Sequence, residues 1–142
     1  MKLLYNTGIS AYNLATKTVA VFGKEKAKKW VIGRKNWRNN LKIANSGNLI
    51  WIHASSLGEY IMVKPIIQEL LNANDKTEIL LSFFSPSGYE NFKDDNSRIK
   101  VIYLPSDTKQ NALDFITLIN PKLAIFVKYD FWFYYLSELQ KN

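Results

Sequence analysis

Residues 51–60 read WIHASSLGEY, an apolar run that ends in His53 and opens into Ala54-Ser55-Ser56-Leu57-Gly58 before a lone carboxylate, Glu59. Small residues at the end of a strand let a ligand approach the backbone, and the free N–H groups of a following helix suit an anion. A carboxylate in the first turn of that helix is stabilised by about 0.3–1 kcal/mol by the helix dipole. Such a group is ionised at neutral pH, as a general base must be. From spacing alone an ordinary first-turn acid is the favoured reading of Glu59, because acids are common in first turns. His53 either meets a ligand or satisfies a backbone group. Further along, Ser85-Pro86-Ser87-Gly88 can cradle an anion through Ser85, Ser87 and backbone amides, although the same residues make an ordinary turn, the favoured reading. Lys128 and Asp130 flank Tyr129; two apart on a strand they share a face, as an ion pair or as the polar wall of a site. Trp132, Phe133, Tyr134 and Tyr135 read as core or interdomain packing.

Other chemistries are poorly supplied. The 142 residues contain no cysteine and one histidine, which removes disulfides and thiolate metal sites and makes a zinc site a poor fit. Neither a G-x-G-x-x-G fingerprint nor a GK[ST] phosphate loop is present.

The elements that must hold these residues alternate. Apolar runs at 48–53, 77–84, 99–104 and 122–129 have the length and composition of strands buried on both faces. Helical patterns lie between them. Residues 59–73 place Ile61, Met62, Ile66, Leu70 and Leu71 on one face, with Pro65 as a kink or a late start. Residues 107–120 begin with Asp107 as N-cap and Gln110 three residues on. An aromatic helix starting near Phe131 closes the chain. The alternation predicts an α/β fold, a Rossmann-like parallel sheet whose ligand rim carries 53–59, 85–88, 105–107 and 128–130.

Charge divides the chain differently. Residues 1–42 carry ten Lys/Arg and one acid, whereas 43–142 carry nine and eleven. The first segment is therefore expected to meet an anionic surface. Its leading stretch is too interrupted by Asn6, Asn13 and other polar residues to span a membrane, and Leu4, Ile9, Tyr12, Ala15, Val19 and Phe22 can share a face lying in the interface. Lys24, Lys26, Lys28, Lys29, Arg34, Lys35, Arg38 and Lys42 follow, interleaved with Trp30 and Trp37. They suit anionic lipid, with the tryptophans at headgroup level, or a solvated helix with the tryptophans as core anchors. No nucleic-acid module is present, and no nucleic-acid partner is expected. The expected units are a membrane-associating helix (1–23), a basic segment (24–46) and a Rossmann-like domain (47–142).

Taken in order, WIHASSLGE, SFFSPSGYE, VIYLPSDTKQNALDFITLINPKLAIF and the KYDFW segment resemble the N-terminal domain of the bacterial 3-deoxy-D-manno-octulosonic acid (Kdo) transferases. The resemblance covers nearly the whole chain, including the leading helix and GRKNW. It implies the N-terminal half of a GT-B glycosyltransferase, inverting and metal-independent, with no cofactor. Kdo would pass from CMP-Kdo to a lipid A precursor at the cytoplasmic face of the inner membrane, in lipopolysaccharide biosynthesis. Glu59 maps onto the family's proposed general base. His53, Ser55, Ser56, Gly58, Ser87, Gly88 and Asp130 would line the substrate side, and Lys24, Lys28, Lys29, Arg34, Lys35 and Arg38 would meet membrane or acceptor phosphates. Lys128 stands where many members have an acid, while Asp130 keeps the second acid of that motif. The donor domain that would bind CMP-Kdo is absent from this sequence, so the chain alone is expected not to catalyse transfer. The alternative is a non-catalytic module for anionic membrane surfaces on half a Rossmann fold. A nucleotide-binding domain of another sugar-nucleotide enzyme shares the fold but explains nothing further.

Overall fold

The computed structural model describes residues 2–41 and 47–141. Lys42, the expected boundary at residue 46 and both terminal residues lie outside them. The elements run α1 (Lys2–Val21), α2 (Glu25–Gly33), α3 (Trp37–Asn40), β1 (Leu49–Ala54), α4 (Leu57–Ala73), β2 (Glu78–Phe83), α5 (Pro86–Tyr89), β3 (Ile99–Tyr103), α6 (Lys109–Ile119), β4 (Leu123–Phe126) and α7 (Phe133–Leu139).

The four strands form one parallel sheet in the order β3-β2-β1-β4. The chain steps outward from β1 through β2 to β3, then returns to the other side of β1. In open α/β sheets such a reversal leaves a crevice at the carboxyl ends of the strands, here β1 and β4. Strand alternation divides the core into two layers. Leu49, Trp51 and Leu80 face Leu104, Phe115, Ile116 and Tyr135, while Ile50, Ile52, Ile79 and Leu81 face Tyr60, Val63, Ile67 and Leu71. All of β1 is buried, as expected for a strand covered on both faces. The expectation fails at both edge strands: in β3 Lys100 is exposed and only Tyr103 is buried, and in β4 Leu123 is 46% exposed.

Three helical expectations are corrected. Residues around Pro65 neither delay nor divide α4, which starts at Leu57. The carbonyl that proline cannot bond belongs to Ile61, and both residues are exposed, so water can take it. The helix also takes a different phase: Tyr60, Val63, Ile67 and Leu71 are buried, whereas Ile61, Met62 and Ile66 are 50–62% exposed. Apolar residues lie on several sides of this helix, so periodicity alone does not select the face. The third correction concerns Asp107. Thr108, not Asp107, caps α6 by accepting from the Asn111 N–H at 3.2 Å. Asp107 is buried and instead accepts from the N–H groups of Tyr134 (3.0 Å) and Tyr135 (3.1 Å), which caps α7, and from the Tyr5 hydroxyl.

The N-terminal helix is docked on the domain through one face. Tyr5 reaches Asp107, Asn6 accepts from the Tyr134 hydroxyl (2.6 Å), Asn13 accepts from Ser106 Oγ (2.8 Å), and Tyr12 packs on Trp30 and Phe84. The expected single apolar face is thereby split. Ile9 and Tyr12 lie on the docked side, while Leu4 (80% exposed) and Phe22 (82%) join Leu3, Leu14 and Val21 on the opposite side. No described helix is long and apolar enough to cross a membrane.

Candidate functional site

The turn from β1 into α4 is built around Ser55 and Glu59. Ser56 is the N-cap residue, yet its side chain makes no capping bond. Glu59, three positions on, reaches back to accept the Ser55 backbone N–H, a relative of the capping box. This engages Oε2 and leaves Oε1 without a hydrogen-bond partner among the described residues. Gly58 is exposed, with open space where a side chain would stand. The rim therefore presents a half-buried carboxylate beside the uncapped first-turn N–H groups of a 17-residue helix.

Asp130 joins this turn from the loop after β4, the strand next to β1. Ser55 Oγ donates to its carboxylate at 2.6 Å, and His53 Nε2 lies 3.3 Å from Ser55 Oγ and 3.5 Å from Asp130. His53, Ser55, Glu59 and Asp130 thus gather at the β1/β4 crevice that the topology provides. His53 is fully buried; Nδ1 lies 3.0 Å from the Ser82 carbonyl and 2.9 Å from Ser82 Oγ, which also accepts from the Trp51 indole at 2.8 Å. Burial drives the imidazole pKa down to about 3, so the ring is neutral at pH 7. The contact with Asp130 is one between a neutral ring and a carboxylate, and is not an ion pair.

Other expected residues are placed differently. The strand expected to reach Tyr129 ends at Phe126, and Lys128 adopts a left-handed φ of 62°. Lys128 and Asp130 therefore do not share a strand face; Asp130 turns to Ser55, and Lys128 is exposed between Val127 and a fully outward Tyr129. Ser87 is exposed and shares a 2.7 Å hydrogen bond with Ser85, whose N–H donates to the Ser55 carbonyl and ties the two rim turns together. Gly88 is buried, and a Cβ there would stand 2.1 Å from the Phe83 ring. Its N–H donates to Ser85, so this residue serves the close packing of α5 on β2 and does not offer its amide to a ligand.

The basic segment is also sorted. Trp30 and Trp37 are both 6% exposed and anchor the core, which corrects their expected place among headgroups. Arg34 is turned inward. It donates from Nε to Leu104 O (2.8 Å), from Nη1 to Trp30 O (3.1 Å) and from Nη2 to Phe84 O (2.7 Å), with its guanidinium 3.9 Å from the Trp30 ring centroid. Burial lowers its pKa to about 9, so it remains charged at neutral pH. Arg38 is held by Asp114 (2.7 Å) and Asn111 (3.1 Å), and Lys29 lies 3.4 Å from Glu90. Lys24, Lys28 and Lys35 are exposed, and no described acid pairs with them. Sequence reasoning missed the inward turn of Arg34 and the docking of α1. The signal for docking was present: Tyr5 and Tyr12, like Asn6 and Asn13, recur at seven residues, two helical turns apart on one face.

Comparison with known proteins locates this geometry. A family model described as 3-deoxy-D-manno-octulosonic-acid transferase matches residues 32–142. A bifunctional glycosyltransferase/methyltransferase of Fusobacterium nucleatum is 31% identical over 138 residues, covering 92% of this chain and 21% of that protein. The 3-deoxy-D-manno-octulosonic acid transferases of Aquifex aeolicus and Haemophilus influenzae are each 32% identical, over 63% and 58% of this chain and 25% and 20% of their own lengths. The chain thus spans about a fifth to a quarter of the length of these relatives. No solved structure matches it.

Proposed function

The chain belongs to the family of 3-deoxy-D-manno-octulosonic-acid transferase N-terminal domains, and on that premise we propose that it is the acceptor side of a glycosyltransferase that moves Kdo from CMP-Kdo to a lipid A precursor. The observation that carries the reading is the placement of Glu59. Its carboxylate is anchored through one oxygen to the Ser55 N–H, at the carboxyl edge of β1 beside the sheet's reversal point, and the other oxygen has no hydrogen-bond partner among the described residues.

The proposed chemistry joins that geometry to the family's reaction. The anchored carboxylate takes the proton of the acceptor hydroxyl as that oxygen attacks the anomeric carbon of Kdo. The bond from that carbon to the CMP phosphate breaks, and CMP leaves with the electron pair. Attack opposite to the leaving group inverts the anomeric centre, and the reading assigns no role to a metal or a cofactor. Asp130 positions Ser55, and through it the N–H that orients Glu59. CMP-Kdo would be held by a donor domain outside this chain, completing a GT-B enzyme.

The outer face of α1 supplies a place for the acceptor's membrane. Leu3, Leu14 and Val21 are spaced by eleven and seven residues, three and two turns, and with Leu4 and Phe22 form an exposed apolar stripe opposite the docked face. Lys24 and Lys28 follow it. An apolar stripe with adjoining cations lies in the plane of an anionic bilayer surface, which fits work at the cytoplasmic face of the inner membrane. The test is transfer from CMP-Kdo to a lipid A precursor by this chain joined to its donor domain, with Glu59 and with Glu59→Gln. Loss of transfer in a folded variant supports the base, and near-normal transfer sinks it.

A further inference from the structure

Between α1, α2 and the loop from β3 to α6 lies a cleft of about 390 Å³ that the transfer chemistry does not use. Its wall is unusual in the balance of donors over acceptors. Lys17, Lys35 and Arg34 line it and no acidic residue does. Neither lysine pairs with an acid among the described residues. Arg34 is a half-buried cation whose three bonds all go to backbone carbonyls, so its charge is solvated by dipoles but not neutralised. Asn13 accepts from Ser106 through its side-chain oxygen, which leaves its amide N–H groups as donors. Trp30 is 6% exposed, and its indole N–H is buried without a hydrogen-bond partner. Three cationic side chains with no acid among the lining residues leave the cleft with positive charge that a bound anion would offset.

We propose that this cleft binds a phosphate-type oxyanion, with Lys17 and Lys35 as its charge partners, the Asn13 amide as a neutral donor and Arg34 as the positive floor. Donors from three separate residues, Lys17, Lys35 and Asn13, match an anion with three acceptor oxygens better than a carboxylate with two. Arg34 reaches the carbonyls of Phe84 and Leu104, each one residue beyond a strand's carboxyl end, so it sits at the same edge of the sheet as the turn that carries Glu59. That the phosphate belongs to the acceptor of the transfer reaction rests on the preceding reading; the binding itself does not.

The test follows the indole N–H signals of the 15N-labelled chain, in which four tryptophans give four resonances and Trp30→Phe assigns the one of interest. Inorganic phosphate, added against sodium acetate at equal ionic strength, is expected to move the Trp30 signal saturably with a Kd of about 1 mM. The double variant Lys17→Ala/Lys35→Ala, which removes two exposed side chains and keeps the fold, is expected to bind at least about tenfold more weakly. A second arm measures co-sedimentation of both chains with vesicles containing phosphatidic acid. A lysine-dependent response to inorganic phosphate identifies a free phosphate group as ligand, and one confined to the vesicles identifies a lipid headgroup; either supports the cleft. No response in either arm, an equal response to acetate, or equal binding by the double variant overturns it. Because no arm reads transfer, failure here leaves the Glu59 assignment standing, and failure of Glu59→Gln leaves the phosphate result standing.

Discussion

The chain's single histidine makes a pH prediction unusually clean. His53 is buried and neutral, with its pKa lowered from 6.5 to about 3 by loss of solvation. In the unfolded chain the same ring takes up a proton near pH 6.5. A group with a depressed native pKa contributes stability that is complete above the unfolded value and disappears as pH falls to the folded one. The window is therefore pH 6.5 to 3, and the slope is about 1.4 kcal/mol per pH unit for one proton. At pH 5 the loss is roughly 2 kcal/mol. Urea denaturation of the native chain and of His53→Asn at pH 7, 6 and 5 measures it. The variant is less stable throughout, but the gap between the two chains should narrow by roughly 2 kcal/mol from pH 7 to 5. The imidazole Hε1 resonance of the native chain should show no inflection between pH 8 and 5. An inflection at or above pH 6.5, with a gap that stays constant or widens on acidification, would mean that Asp130, 3.5 Å away, holds His53 as an imidazolium and outweighs burial.

Two further outcomes follow from packing and from surface chemistry. A Cβ at Gly33 would stand 2.2 Å from the ring of Tyr103, which is buried and hydrogen-bonded to Glu90 at 3.0 Å, so Gly33→Ala should cost about 1–3 kcal/mol; thermal denaturation checks it, and an unchanged midpoint would show that the ring moves freely. Replacing Leu3, Leu14 and Val21 by serine should reduce co-sedimentation with phosphatidylglycerol vesicles by tenfold or more, since about 0.8 kcal/mol accompanies each buried CH₂; equal binding by the variant would remove α1 from the membrane surface.

Much of the fold was readable because strands buried on both faces announce themselves as short apolar runs. All four runs became strands, and the alternation with helices implied the parallel sheet. What could not be read were choices between equivalent local options. Both Asp107 and Thr108 can cap a helix; Tyr5 and the start of α7, each far away in sequence, claim Asp107. The phase of α4 depends on where Glu59 hooks back to Ser55, because its sequence is apolar on several sides. Arg34 looks like its basic neighbours, and only the β2 and β3 carbonyl ends show that it turns inward. At the rim, His53, Ser55 and Glu59 were visible as one motif, whereas the bond from Ser55 to Asp130 spans 75 residues and depends on β4 returning beside β1.

The central proposal places a general base at Glu59. Transfer of Kdo from CMP-Kdo to a lipid A precursor, measured with the chain joined to its donor domain, should fall by about 10²–10⁴-fold in Glu59→Gln. Folding and CMP-Kdo binding should be unchanged. A variant that is folded, binds donor and transfers at close to the native rate would contradict it, and would leave Glu59 as no more than the residue that closes the first turn of α4.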